Sequence, residues 1–301
     1  MSQDMNTRCG FVAILGATNA GKSTLTNLLV GEHVSIVTQK VQTTRFPVRG
    51  ICLADRAQII LVDTPGLFDA HGNEFQGRMI SSALSAGADA DRIVFLVDAA
   101  KVLRHKDIRP SELPVDALRG KSVWLAFNKI DEVEKQALLD LSARYNAAFP
   151  FEETFFISAK TGDGVEHLKE RLAQSVPEGP WLFPEDTLTD LPVKLLTAER
   201  TREAAFERLH QELPYNLAVV TETIEDEGTR LVISQVIYIK SEKHKPIIVG
   251  KGGATIKAIG SKSRRAIEQD LDCKVHLSLF VKVKSNWDRD RELLSSWSLD
   301  E

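Results

Sequence analysis

The sequence predicts an α/β domain, a mostly parallel sheet with helices on both faces, followed by a smaller α+β domain. Three observations carry this. Short apolar runs alternate with amphipathic helical stretches from residue 10 to about 175. The pattern then breaks at residues 177–192, which hold four prolines. Beyond the break the order reads helix, strand, strand, helix, helix, strand. A chain of 301 residues is long for one domain and short for three, so two units with separate cores are expected.

Strands of the first domain are expected at 11–15, 48–53, 58–62, 93–97, 123–127 and 154–157, with a turn at Arg56 joining the second and third as an antiparallel pair. Helices should open at Gly21, within 74–87, after Asp131 and at Gly164, where Gly, Asp or Asn precede each periodic stretch. The first domain then covers 8–175, a linker 176–192, the second domain 193–290 and a tail 291–301. In the second domain a long helix runs from 193 to about 211 and strands lie at 216–224 and 230–239. After a Gly-rich helical region, Val275, Leu277, Leu279, Val281 and Val283 alternate through a closing strand at 274–284.

Hydrophobic residues make up 43% and charged residues 27%, values of an ordinary soluble protein, and no apolar run approaches the roughly 18 residues of a membrane span. The N-terminus lacks the apolar segment of a signal peptide, which points to the cytosol. Cys9, Cys52 and Cys273 are odd in number and far apart, against a disulfide framework or a zinc site. The formal net charge of −4 hides an asymmetry: residues 240–284 carry eleven Lys or Arg against four acids, so a polyanion should favour this part of the chain.

Gly16-Ala17-Thr18-Asn19-Ala20-Gly21-Lys22-Ser23-Thr24 follows an apolar strand and opens a helix, the context in which GxxxxGK[ST] is a phosphate loop. Backbone N–H groups and the helix N-terminus would hold the phosphates, Lys22 would reach the β and γ phosphates, and the Ser23 hydroxyl is placed for Mg²⁺. Asn128-Lys129-Ile130-Asp131 ends the fifth strand, where Asp131 can accept from guanine N1–H and its 2-amino group. Adenine has neither donor, and a buried carboxylate there would reject it. Ser158-Ala159-Lys160 follows the sixth strand. Asp63-Thr64-Pro65-Gly66-Leu67 ends the buried 59–62 run, with Asp63 near Mg²⁺ and the Gly66 N–H near the γ-phosphate. In Gln42-Thr43-Thr44-Arg45 one threonine should complete the Mg²⁺ shell, and both remain candidates on the residues alone.

Ile248-Val249-Gly250-Lys251-Gly252-Gly253 lies between helical segments and precedes Thr255-Ile256-Lys257, the pattern of the GXXG loop with which KH domains clamp about four nucleotides. Ile248, Val249 and Ile256 are expected on the groove floor, with Lys251, Lys257, Lys262, Arg264 and Arg265 for phosphate contacts. Trp287 reads as a packing residue rather than a stacking platform, and His276 as a structural strand residue.

These motifs in this order, with Glu212-Leu213-Pro214-Tyr215 and the closing Val281-Lys282-Val283-Lys284-Ser285-Asn286-Trp287, resemble the bacterial Era family over essentially the whole chain. The resemblance implies a P-loop NTPase fold of the translation-factor GTPase class followed by a type II KH domain. It implies GTP and GDP with Mg²⁺ as ligands, and Lys22, Thr44 and Gly66 as the hydrolytic residues. Thr44 is favoured over Thr43 for Mg²⁺, and the Ser158-Ala159-Lys160 loop would contact guanine O6. Asn19 is a candidate K⁺ ligand, the alternative being that it only shapes its loop. The implied partners are the 3′ end of 16S ribosomal RNA and the small ribosomal subunit, whose maturation such a protein assists in the GTP state; peripheral association with the inner membrane is implied as well. Leu67 stands where Ras-like proteins carry a water-orienting glutamine, so slow intrinsic turnover is expected. Two other readings are a constitutive RNA-binding chaperone with a nucleotide-sensing domain, and a membrane-linked cell-cycle switch. Nothing in the sequence calls for an obligate oligomer.

Overall fold

A computed structural model describes residues 7–38, 40, 43–67, 74–104 and 113–297. The chain divides into two compact units between Asp190 and Leu191. In the first, β1 (Arg8–Gly16), α1 (Lys22–Val30), β2 (Val48–Ala54), β3 (Ala57–Asp63), α2 (Glu74–Asp89), β4 (Arg92–Asp98), α3 (Ala99–Arg104), α4 (Val115–Leu118), β5 (Val123–Asn128), α5 (Lys135–Ala148), β6 (Thr154–Phe156) and α6 (Val165–Ser175) follow one another. The sheet order is β2-β3-β1-β4-β5-β6. Only the β2–β3 pair is antiparallel, as the turn at Arg56 requires.

Strand alternation builds a core on each face. Val12, Ile14, Val94 and Leu96 pack with Leu25 and Leu29 of α1 and Leu168 and Leu172 of α6. Leu15, Ile93, Phe95 and Val97 pack with Leu138, Leu141 and Tyr145 of α5. Each fully buried Leu, Ile or Phe contributes about 1.5–3 kcal/mol. β1 is flanked by β3 and β4, so the order reverses there, and the loop after β1 opens at the crevice where ligands of open α/β sheets bind.

The proline-rich segment is fastened to this unit. Fully buried Gln58 of β3 accepts from the N–H groups of Leu182 and Phe183 at 2.9 and 3.0 Å and donates to the Phe183 carbonyl at 2.8 Å. Further along, Ile51 N–H donates to the Leu188 carbonyl, Thr189 bridges Gly50, and Arg49 pairs with Asp190 at 2.6 Å. β1 begins at Arg8 rather than at residue 11, and Cys9 N–H donates to the Pro177 carbonyl.

In the second unit α7 (Val193–Arg208), β7 (Leu217–Asp226), β8 (Leu231–Ile239), α8 (Lys245–Val249), α9 (Ala254–Leu271) and β9 (Val275–Val283) give the expected order, closed by α10 (Arg291–Ser295). The first helix ends three residues earlier than expected, and Pro214 opens a short 3-10 turn at Leu213–Asn216. β7 and β8 form an antiparallel hairpin, while β9 returns parallel to β8 across the two intervening helices. Trp287 is buried, donates to the Asn216 carbonyl at 3.2 Å and meets Trp297 edge to face, so it packs as expected. The tail expected at 291–301 thus begins with a helix, which Asp290 caps by accepting from Leu293 N–H.

Candidate guanine-nucleotide site and RNA clamp

The phosphate loop is shaped by residues that need unusual backbone angles. Gly16 has φ +150°, and a Cβ there would lie 2.2 Å from the Leu96 carbonyl oxygen; at Gly21, φ +101°, it would lie 2.2 Å from Asn128 Nδ2. Asn19 takes φ +62°, which Asn tolerates better than most residues. Asn128, buried at the end of β5, donates to the Ala20 carbonyl at 2.7 Å and accepts from Ala159 N–H at 2.9 Å. One side chain thereby joins the phosphate loop, the Asn128–Asp131 motif and the Ser158–Lys160 loop.

Ser23, Thr44 and Asp63 converge. Ser23 Oγ donates to Asp63 Oδ2 at 2.7 Å and lies 3.0 Å from Thr44 Oγ1, which itself donates to Asp63 Oδ2 at 3.3 Å. Thr43 turns the other way, its Oγ1 donating to the Lys40 carbonyl at 2.7 Å and lying 2.7 Å from Thr38 Oγ1. Asp63 is fully buried, and Oδ1 has no hydrogen-bond partner among the described residues. Burial raises its pKa, against the charge of Lys22 and the hydroxyls of Ser23, Ser35 and Thr44. A buried carboxylate with a spare oxygen beside two hydroxyls is a hard-oxygen set that fits Mg²⁺. The Ser35 hydroxyl makes no hydrogen bond among the described residues but lies near enough to lower the carboxylate's pKa.

Lys22 is buried, its Nζ donating to the Gly16 and Ala17 carbonyls at 3.1 and 3.0 Å. Burial lowers its pKa to about 8, with Asp63 opposing. Thr64 is fully buried and donates to the Ile14 carbonyl. Gly66 lies against the phosphate loop so closely that a Cβ would be 2.6 Å from Thr18 Cγ2, and Leu67 N–H donates to the Gly16 carbonyl at 3.0 Å. Buried Arg45 stacks its guanidinium 5.9 Å from the Phe75 ring centre, tying the loop before β2 to α2. Gln42 and residues 68–73, which follow the Asp63–Leu67 motif, lie outside the described residues.

A cleft of about 680 Å³ is lined by Thr18, Asn19, Gly21, Lys22, Ser23, Thr24, Thr43, Thr44, Gly66, Lys129, Ala159 and Lys160 from the expected set. Ile36, Val37 and Thr38 line it too, and no sequence motif marked them. Asp98 was also missed: it accepts from Lys129 Nζ and, through its other oxygen, from Lys101 N–H at 2.8 Å, while Lys129 reaches the Asn19 carbonyl at 2.9 Å. An acid at the C-terminal end of an apolar parallel strand was the available signal. Asp131 is exposed, on the 3-10 turn Ile130–Glu132 that follows β5.

In the second unit Gly250, Gly252 and Gly253 have φ of +76°, +60° and +79°. A Cβ at Gly250 would strike Thr255 Oγ1 at 2.3 Å, whereas nothing lies within 4 Å of one at Gly252 or Gly253, so the loop's outer side admits a backbone. Lys251 and Lys257 are exposed, with no ion pair among the described residues. Lys262 and Arg264 are paired with Glu207 and Glu268, so fewer charges stand open than the sequence count suggests. Ile248 corrects the expected groove floor: it is fully buried in the core with Leu217 and Ile237, and in the five-residue α8 it is Ile247, 54% exposed, that faces outward. Val249 and Ile256 are partly exposed. A groove of about 310 Å³ lies between α9 and β9, lined by Ile256, Lys257, Gly260, Arg264, Leu277 and Leu279 among others.

Fold and sites together define a P-loop guanine-nucleotide-binding protein with an appended type II KH domain. The family described as 50S ribosome-binding GTPase matches residues 11–129, and the KH domain family matches residues 212–288. The chain is 48% identical to the GTPase Era of Sinorhizobium medicae over 98% of this chain and 94% of that one. It is 47% identical to the GTPase Era of Bradyrhizobium diazoefficiens over 95% and 94%. Among solved structures, an Era in complex with MgGDPNP and nucleotides 1506–1542 of 16S ribosomal RNA superposes with a TM-score of 0.89 at 35% identity, covering 98% of this chain and all of that one. A variant of the Aquifex aeolicus Era bound to GDP and AlF4⁻ superposes equally, TM-score 0.89 at 35% identity over the same shares. The chain belongs to the Era family of GTPases.

Proposed function

We propose that this protein hydrolyses GTP and binds the 3′ end of 16S ribosomal RNA through its KH domain, assisting maturation of the small ribosomal subunit, with the GTP state favouring RNA. The convergence of Ser23, Thr44 and Asp63 beside the phosphate loop, in one chain with an open glycine clamp, carries this reading. The relative solved with MgGDPNP and 16S nucleotides supports the RNA assignment, and the one solved with GDP and AlF4⁻ supports hydrolysis.

Phosphate oxygens would replace the Gly16 and Ala17 carbonyls as partners of Lys22, and their negative charge keeps its ammonium protonated. Ser23, Thr44 and Asp63 would hold Mg²⁺, which would supply neutralisation of phosphate charge. Thr43, engaged with Lys40 and Thr38, is the weaker candidate. Asp131 reads the guanine edge, Asn128 fixes the loops that surround the base, and Lys160 and Ala159 line the same cleft. Gly66, packed on the phosphate loop, presents its N–H to the terminal phosphate. Leu67 offers the attacking water no hydrogen bond, so turnover is slow until alignment comes from RNA, a partner or K⁺ at Asn19. Lys251 and Lys257 supply phosphate contacts; Ile256 and Lys257 line the groove, and Val249, Gly250, Gly252 and Gly253 belong to the loop that precedes α9.

No helix among the described residues is long and apolar enough to cross a membrane; peripheral association with the inner membrane is part of the proposed reading. The protein acts as a monomer. Turnover of GTP and ATP, with and without a 16S 3′-end RNA and K⁺, tests the reading: GTP-selective hydrolysis stimulated by RNA is expected. Leu67 favours a second reading, a constitutive RNA-binding chaperone, which predicts negligible turnover under every condition.

A further inference from the structure

Asn27 lies one turn after Ser23 on α1, and its side chain spends every polar group on the loop that follows. Oδ1 accepts from Val34 N–H at 3.0 Å and Ser35 N–H at 2.8 Å, and Nδ2 donates to the Ser35 carbonyl at 2.7 Å. Val34, Ser35 and Ile36 are buried there, while Ile36 and the two residues after it, Val37 and Thr38, line the nucleotide cleft. A side-chain contact links this segment to the residues before β2. Thr38 Oγ1 lies 2.7 Å from Thr43 Oγ1, and the next residue, Thr44, stands 3.0 Å from Ser23 Oγ and 3.3 Å from Asp63 Oδ2. Three hydrogen bonds from one amide fix the 34–35 backbone on α1 in both position and rotation.

We infer that Asn27 is a positioning residue of the GTPase site: it holds residues 34–38 in place on α1 and, through the Thr38–Thr43 contact, helps place Thr44 before Mg²⁺ and GTP arrive. The inference rests on the nucleotide reading above and extends it to a residue that touches neither phosphate nor metal. Its physical content is entropic. A loop held in its binding conformation loses less freedom on binding, so affinity rises, whereas at saturation the ligand itself holds the loop. The effect therefore belongs in KM and in the nucleotide dissociation rate more than in kcat.

The test compares Asn27→Ala and Asn27→Asp with the wild-type chain, using steady-state hydrolysis of Mg·GTP and dissociation of a fluorescent non-hydrolysable GTP analogue. Asn27→Asp keeps both acceptor bonds but turns a carboxylate toward the Ser35 carbonyl. Asn27→Ala is expected to raise KM and the dissociation rate about tenfold, and to lower kcat by less than about threefold, the two lost acceptor bonds and one lost donor bond being each a fraction of a decade to a decade. Asn27→Asp should fall between Asn27→Ala and wild type. If Asn27→Ala does not fold, the Asn27→Asp comparison decides alone. KM and dissociation within twofold of wild type in a folded variant, or a loss of kcat at unchanged KM, would overturn the inference. Thr44→Ala, measured alongside, separates the two layers: if it leaves Mg²⁺ dependence unchanged while Asn27→Ala still raises KM, the metal assignment fails and the anchor stands.

Discussion

Asn128 Nδ2 and the Ala20 carbonyl oxygen are 2.7 Å apart, so the motif that reads the base is bolted to the loop that holds the phosphates. The same amide accepts from Ala159 at 2.9 Å, and in a buried place both bonds are exchanged for nothing when the side chain is removed. Asn128→Ala should weaken GDP binding roughly 10- to 100-fold, from two neutral hydrogen bonds at about 1 kcal/mol each plus the cost of the groups left unpaired. Equilibrium titration with a fluorescent GDP measures it.

The clamp should show itself in salt dependence. Replacing both Lys251 and Lys257 with Ala removes two exposed cations beside the glycine loop, and single-stranded RNA releases roughly 0.7 counterion per neutralised phosphate. The slope of log K against log salt should become shallower by about 1.4, uniformly across RNA sequences. An unchanged slope would place the RNA elsewhere.

Gln58 ties the proline-rich segment to β3 through three hydrogen bonds from a side chain with no solvent exposure. Gln58→Ala should destabilise the first unit by about 2–4 kcal/mol, because the Leu182 and Phe183 N–H groups lose their acceptor and a void remains. Denaturant unfolding followed by the fluorescence of Trp181, whose Nε1 donates to the nearby Arg56 carbonyl, reports on this site.

Acid should loosen the second unit. Val275 N–H, and then the Arg264 charge and side chain, hold the Glu268 carboxyl below the ordinary Glu value of 4.5. A carboxyl whose folded pKa is depressed adds stability that is complete above its unfolded pKa and is lost as pH falls through the folded one. Thermal unfolding should therefore fall in midpoint as pH drops below about 4.5, the ordinary Glu value, and Glu268→Gln should flatten that fall. A parallel decline in both proteins would count against it.

Much of this was legible in the sequence. Ser23, Asp63, Asn128 and Ala159 sit in motifs whose spacing follows from strand and loop lengths; short apolar runs placed the strands of the first sheet, and side-chain alternation the closing strand of the second. What stayed hidden depended on contacts far apart in the chain. A buried glutamine at 58 reads like any strand residue until the segment at 182–183 is seen to pair with it, and Asp98 declares its role only when Lys129 is brought beside it. Ile247 and Ile248 could not be separated because a helix of five residues carries too few positions to define a face.

The central claim is that the nucleotide held at Thr44 and Asp63 governs the RNA affinity of the Gly250–Gly253 clamp. Binding of the full chain to a short RNA copying the 16S 3′ end, measured with GDP and with a non-hydrolysable GTP analogue, tests this most directly. The account predicts markedly tighter binding in the GTP-analogue state, lost in the Lys251→Ala, Lys257→Ala double variant. Equal affinity in the two nucleotide states would contradict it and leave an RNA-binding protein whose nucleotide domain answers to something else.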